Sequence, residues 1–286
     1  MSARAVRGLV GVVHVGAMPG DPKYGGGGFS AVEKDALRDG EALASGGVDA
    51  IVIENFGSAP FVKGDASERV PPHHVAFLAV LVRAMSGLGV PIGVNCLRND
   101  VISALGIAAA TGASFVRVNV HTGAYLTDQG VIEGEAHRSL RYRAALEAQS
   151  VAILADVLVK HAVPLAPTNA TDATHDTILR GHADGVIVTG RATGAPVDRA
   201  LLAEVRAAAG DATVLIGSGM TPERAVDLAP LADGAIVGTW LKENGDVRRA
   251  VDVARVRELV SALRGRFRPS PEGENRGAGA AAAKRA

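Results

Sequence analysis

The chain has 286 residues, with 30 lysines and arginines balanced by 30 aspartates and glutamates, so no net field draws it to nucleic acid or to an anionic membrane. Its one cysteine, Cys96, excludes an intramolecular disulfide and any structural zinc site built on several thiolates, and the expected compartment is cytoplasmic. Hydrophobic residues make up 48% but aromatics only 3%, so the core must come from Val, Ile, Leu and Ala, the residues of buried parallel strands.

The apolar run from Gly8 to Met18 follows Arg4 and Arg7 much as a secretory leader would, yet it contains His14 and ends in the turn Met18-Pro19-Gly20. It reads as a first strand, Leu9–Val15. Further strand candidates follow at Ala50–Glu54, Pro91–Asn95, Phe115–Val120, Ala152–Val157, Gly185–Val188, Thr213–Ile216 and Gly234–Val237. Helical spacing marks Ala31–Ser45, His73–Ser86, Val101–Ala110, Glu135–Gln149, Ala170–Arg180, Arg199–Ala209, Pro222–Leu228 and Val247–Leu263. Pro222 after Thr221 suits a first helical position, and Asn99-Asp100 offers caps before Val101. No apolar stretch reaches the ~18 residues of a membrane span, so no insertion is expected.

Eight strand–helix pairs predict an α/β fold, a (β/α)8 TIM barrel, as one unit over residues 1–267. The Pro, Gly and Ala-rich tail, 268–286, is expected to be disordered. An open doubly wound sheet shares this alternation, but no G-x-G-x-x-G motif opens a helix after the first strand. The Gly25–Gly28 run reads instead as a mobile loop over the barrel mouth.

Gly217-Ser218-Gly219 follows the seventh strand and Gly238-Thr239 the eighth. In barrels these two loops often cradle phosphate, because glycines let backbone N–H groups approach its oxygens. A small phosphorylated molecule is therefore the expected partner, with Ser218 and Thr239 as hydroxyl donors. Taken singly, the same glycines suit tight turns.

Catalytic groups in a barrel sit at the C-terminal ends of the strands. Those ends carry His14, Glu54, Asn95, Arg98, Arg117, Asn119, His121, Asp156, Lys160 and Thr189. Period two places Arg117, Asn119 and His121 on one face if the fourth strand extends that far, and Asp156 and Lys160 share a face of the fifth. Lys160 is open to three roles: Schiff base, general acid or base, or partner of Asp156 or phosphate. Glu54 suits a general base or metal ligand, or else a carboxylate capping the backbone of Asn55–Gly57 or paired with Arg117. His14 suits an acid or base near neutral pH or a hydrogen-bonded structural group. Asn95 and Asn119 suit substrate orientation, since amides do not titrate. His121 and Thr189 complete the expected substrate contacts, and His73-His74 read as loop residues. No cofactor is required; a divalent metal is possible at Glu54 and Asp156, although no H-E-x-x-H spacing occurs.

The strings Val13-His14-Val15-Gly16-Ala17-Met18-Pro19-Gly20, Ile53-Glu54-Asn55-Phe56, Gly93-Val94-Asn95-Cys96-Leu97-Arg98-Asn99-Asp100, Arg117-Val118-Asn119 and Ala155-Asp156-Val157-Leu158-Val159-Lys160-His161-Ala162 resemble the BtpA/SgcQ family. The resemblance spans about residues 7 to 265. It implies a TIM-type barrel related to the ribulose-phosphate-binding group, in a family named after a factor for photosystem I accumulation in cyanobacteria. Gly16-Ala17-Met18 departs from the family's commoner opening, whereas His14 and Pro19-Gly20 are kept.

Two functional classes remain. The first is an enzyme on a phosphorylated sugar-like metabolite, by isomerase, epimerase or aldolase-type lyase chemistry, in which Glu54, Asp156, Lys160 and His14 act. The second is a non-enzymatic assembly or stability factor. Phosphoribosyl or nucleotide binding with hydrolysis shares the phosphate cradle but ranks below both for want of a P-loop or a magnesium carboxylate pair, and a homo-oligomer is possible.

Overall fold

Strand propensity and period-two burial shape the centre of the molecule, which the computed structural model describes over residues 6–269. In chain order the strands are β1 (Gly8–His14), β2 (Ala50–Glu54), β3 (Ile92–Asn95), β4 (Phe115–Val118), β5 (Ala124–Thr127), β6 (Gly130–Glu133), β7 (Ala152–Val157), β8 (Ala162–Pro164), β9 (Gly185–Val188), β10 (Thr213–Ile216) and β11 (Gly234–Val237). Eight of them close a barrel in the order β1-β11-β10-β9-β7-β4-β3-β2, and every pairing is parallel. The helices are α1 (Gly28–Gly46), α2 (Pro72–Met85), α3 (Val101–Thr111), α4 (Ala136–Ala145), α5 (Ala170–His175), α6 (Arg199–Ala208), α7 (Pro222–Leu228) and α8 (Val253–Leu263). The expected TIM barrel is the observed fold.

Alternation divides the apolar residues into two cores. Val10, Val12, Val52, Phe115, Leu154, Ile187, Leu215 and Ile236 fill the barrel, while the odd-numbered neighbours Leu9 and Val13 join the larger layer between strands and helices. Phe115 takes up space that its neighbour leaves: a Cβ on Gly93 would lie 2.2 Å from the phenyl ring. Caps behave as the sequence suggests. Asp100 accepts from Ser103 N at the start of α3, and Gly47 and Gly112 end α1 and α3 in the left-handed region.

Several boundaries differ from expectation. β4 stops at Val118 rather than Val120, because Val120 N donates to the Asn99 side chain instead of to a strand. α8 starts at Val253, not Val247, since Glu243 N and Asp252 N are committed to Ala250 O and Leu241 O in a closed loop. α4 ends at Ala145, short of Gln149. Gly28 belongs to α1, leaving Gly25–Gly27 as the loop. A three-stranded antiparallel sheet, β6-β5-β8, is additional; it buries Tyr125 and Ile132 against Val120 and Val159 and leaves Leu126 and Val163 exposed. The tail expected to be disordered lies, beyond Pro269, outside the described residues. Among the described residues no helix is long and apolar enough to cross a membrane.

Candidate functional site

The inward positions of each strand run upward from the barrel core to a polar layer at the C-terminal end. Val10 and Val12 lead to His14, Val52 to Glu54, Phe115 to Arg117, and Leu154 to Asp156. By the same spacing Ile187 leads to Thr189, Leu215 to Gly217 and Ile236 to Gly238. Parallel registry then sets neighbours side by side, with His14 opposite Glu54 and Glu54 opposite Asn95.

Arg117 organises this layer. Its Nε and Nη2 donate to Asp156 Oδ1 and Oδ2, each at 3.0 Å, and Nη1 stands 3.7 Å from Glu54 Oε2. Asn119 Nδ2 donates to Asp156 Oδ2 at 3.1 Å, and Asn95 Nδ2 to Glu54 Oε2 at 3.1 Å. Both Asp156 oxygens are therefore committed to buried donors, which suits a fixed anion better than the proton carrier expected from the sequence. Asn95 is buried against Glu54 and orients that carboxylate. Burial works against ionisation of Glu54, but His14, through a hydrogen bond and through its charge in acid, and then the charges of Arg117 and Lys160 outweigh it and bring its pKa down to about 2. Glu54 is thus an anion at neutral pH.

His14 Nε2 lies 3.4 Å from Glu54 Oε1. Burial lowers the histidine's pKa despite that carboxylate, which keeps the ring neutral. With its proton on Nε2 facing Glu54, Nδ1 is an unprotonated base, and it has no hydrogen-bond partner among the described residues.

Lys160 lies beyond the end of β7, in a turn flanked by Leu158 and His161 in left-handed conformations. Thr189 Oγ1 accepts from Lys160 N at 3.2 Å, and Arg98 Nη2 donates to Lys160 O at 2.8 Å. Thr189, expected at the substrate, instead fixes the lysine backbone. Burial and then the nearby Arg117 charge push the ammonium down to about 8, against the pull of Glu54 and Asp156. No ion pair within 4.0 Å joins Lys160 to Asp156 among the described residues, because Arg117 already occupies that carboxylate. A lysine with an appreciable neutral fraction near pH 8 can act as a base or a nucleophile.

His121 falls outside this arrangement. With β4 ended, period two no longer applies, and the imidazole turns to place Nε2 2.8 Å from Gly181 O.

The two glycine loops form one end of a cavity of about 160 Å³, whose other walls include His14, Glu54, Arg117 and Lys160. Gly217 N donates to Val188 O, so this amide is committed to the protein. Ser218 Oγ donates to Ala195 O and accepts from Gly190 N, holding the loop after β9 rather than offering its proton. The Ser218, Gly219 and Thr239 amides have no protein acceptor among the described residues, and the Thr239 hydroxyl is similarly free. Gly219 has a φ of +68° and lies so close to Pro196 that a Cβ would be 2.4 Å from its Cα. Gly238 packs under the histidine: a Cβ there would come within 2.3 Å of His14 Cε1.

A second lobe of about 360 Å³ shares Glu54, Arg117, Lys160 and Thr193 with the first and adds Phe56, Phe61, Leu97, Arg98 and Asn119. Sequence reasoning placed Arg98 at a strand end without a role and missed the two phenylalanines, Phe56 in a 3-10 turn after β2 and Phe61 in the loop beyond it. It also missed a buried ion pair beside the site, Lys242 Nζ to Asp39 Oδ2 at 2.6 Å. The available signal was an aspartate on the buried face of α1, among Ala36, Gly40 and Leu43. His73 and His74, read as loop residues, lie in the first turn of α2, with His73 Nε2 2.9 Å from Pro19 O. Among the described residues no group of three or more His, Cys, Asp or Glu is placed to hold a metal.

The chain is 46% identical to the photosystem I biogenesis protein BtpA of Synechocystis, over 89% of this chain and 87% of that protein. It is 31% identical to the putative sgc region protein SgcQ of Escherichia coli, over 89% and 93%. Among solved structures, orotidine 5'-phosphate decarboxylase from Pyrococcus horikoshii superposes with a TM-score of 0.54 at 15% identity, covering 90% of this chain and 99% of that one; at that identity the likeness is one of fold. The BtpA family model matches residues 5–265, and the chain belongs to the BtpA family.

Proposed function

We propose that this protein is an enzyme that binds a phosphorylated, sugar-like metabolite and isomerises, epimerises or cleaves it. One observation carries the reading: a single cavity joins the uncommitted amides of Ser218, Gly219 and Thr239 to Glu54, Arg117 and Lys160. A phosphate at the amides fixes one end of the substrate, and that remote binding energy holds the reactive carbon near the lysine. The name of the Pyrococcus horikoshii decarboxylase, which includes a 5'-phosphate, is consistent with such an anchor in this fold.

In this reading Lys160 supplies the chemistry. As a base it removes a proton from the carbon next to a carbonyl, and Arg117 faces the negative charge that develops on the carbonyl oxygen. As a nucleophile its neutral amine adds to the carbonyl carbon and expels water to give an imine. His14 Nδ1 is the second base, while the anionic Glu54 stands beside Arg117 and Asp156 holds the guanidinium in place. Ribose 5-phosphate, whose open form carries an aldehyde, provides a test with borohydride present. The imine route predicts a mass increase confined to Lys160, and turnover of a phosphosugar without such an adduct would leave the base route.

A second reading, an assembly or stability factor, is favoured by the 46% identity to the Synechocystis photosystem I biogenesis protein. Replacing Lys160 with Met separates the two in cells lacking that relative. An enzyme loses complementation, whereas a scaffold acting through its outer surface keeps it.

A further inference from the structure

The larger lobe has features that a bare sugar phosphate does not use. Arg98 is 5% exposed, and its side chain makes one protein hydrogen bond, to Lys160 O. No carboxylate lies within 4.0 Å of it among the described residues. Its remaining N–H donors have no protein acceptor among the described residues, and Arg98 lines the lobe, where a ligand carbonyl can complete them. Asn119 is 2% exposed, and its Oδ1 has no donor among the described residues. The amide cannot relieve this by flipping, because Nδ2 is held by Asp156 Oδ2, itself fixed by Arg117. Both residues line the 360 Å³ lobe, together with Phe56, Phe61 and Leu97.

We propose that this lobe binds a flat heterocycle carried by the same phosphorylated substrate, with a ring carbonyl accepting from Arg98 and the adjacent ring N–H donating to Asn119 Oδ1. Phe56, Phe61 and Leu97 offer apolar surface for a ring in a lobe also lined by Asp128 and His161, and one unused donor set with one unused acceptor suits a lactam edge. The substrate class becomes a nucleobase-like ring joined to a sugar phosphate, spanning both lobes past Lys160. This rests on the phosphate reading above for the other end of the molecule.

The test is calorimetric titration of the full chain with uridine 5'-monophosphate and inosine 5'-monophosphate, both of which carry a lactam edge, and with ribose 5-phosphate and uridine. At least one nucleotide should bind about tenfold or more tightly than ribose 5-phosphate, the worth of one good hydrogen bond. Arg98→Lys keeps the charge and the contact to Lys160 O but loses the planar fork, and Asn119→Ala removes the acceptor together with one donor to Asp156. Each should erase the nucleotide's advantage while changing ribose 5-phosphate affinity less than about twofold. Equal affinities for nucleotides and ribose 5-phosphate, or equal weakening of both by the variants, overturn the ring site and leave the phosphate reading standing. Uridine binding without ribose 5-phosphate binding keeps the ring site and removes the phosphate anchor. Binding of none of the four overturns both.

Discussion

Arg117 joins two carboxylates from different strands: it chelates Asp156 through two 3.0 Å hydrogen bonds and stands 3.7 Å from Glu54. All three side chains are nearly excluded from water, so the guanidinium is also the largest charge acting on Lys160, whose ammonium it disfavours. The site therefore relies on an arginine that holds its anions in place and a lysine that has no ion-pair partner within 4.0 Å among the described residues.

Removing that arginine strands two buried anions. Arg117→Met should lower unfolding free energy by about 3–5 kcal/mol, the cost of breaking a buried pair from one side, read by urea denaturation. Adding Asp156→Leu should recover part of the loss. A single-variant effect below about 1 kcal/mol would mean that water reaches these carboxylates.

Lys160 should be the lysine that titrates early. After reductive methylation with carbon-13 formaldehyde, one dimethyl-lysine resonance is expected to move with a midpoint near the cited value of about 8, and to vanish in Lys160→Gln. The sign follows from the lowered value: folding is penalised while the group is charged, below about 8, and the penalty fades as pH rises towards the unfolded value of 10.5. If every lysine titrates near 10, the desolvated environment is wrong.

Glu54 works in the opposite direction. Its pKa is about 2 in the fold against 4.5 for an ordinary glutamate, so its contribution is present above 4.5 and disappears as pH falls towards 2. The difference amounts to roughly 3 kcal/mol. Stability measured between these limits should fall less steeply in Glu54→Gln than in the parent chain, and identical slopes would refute the assignment.

Gly238→Ala tests the packing beneath His14. The added methyl meets the imidazole carbon at 2.3 Å, so the ring must shift and overpacking should cost about 1–3 kcal/mol. A melting temperature lowered by several degrees is expected, together with a changed titration of His14 by NMR. An unchanged protein would show that the ring has room to move.

Much of this was legible in advance, for reasons particular residues make clear. Val10-x-Val12-x-His14 and Val52-x-Glu54 continue a strand's inward face from apolar to polar, so position along the strand predicts both core and site. The same rule misplaced His121, since it assumes a strand that Asn99 ends by taking the Val120 amide. The β5–β6 hairpin went unseen because its Asp128-Gln129 turn carries none of the usual glycine signal at its centre. Which partner each charge takes is a three-dimensional matter: nothing in the spacing of Arg117, Asp156 and Lys160 indicates that the arginine, rather than the lysine, binds the aspartate. The occupied Gly217 amide and Ser218 hydroxyl were likewise invisible until the loop after β9 was placed against them.

The most direct measurement is a crystal structure of the protein grown with ribose 5-phosphate. The phosphate should lie between the loops after β10 and β11, within ~3 Å of the Ser218, Gly219 and Thr239 amides, with the sugar carbonyl towards Lys160. A phosphate bound elsewhere on the molecule, with these amides filled only by water at saturating ligand, would contradict the account.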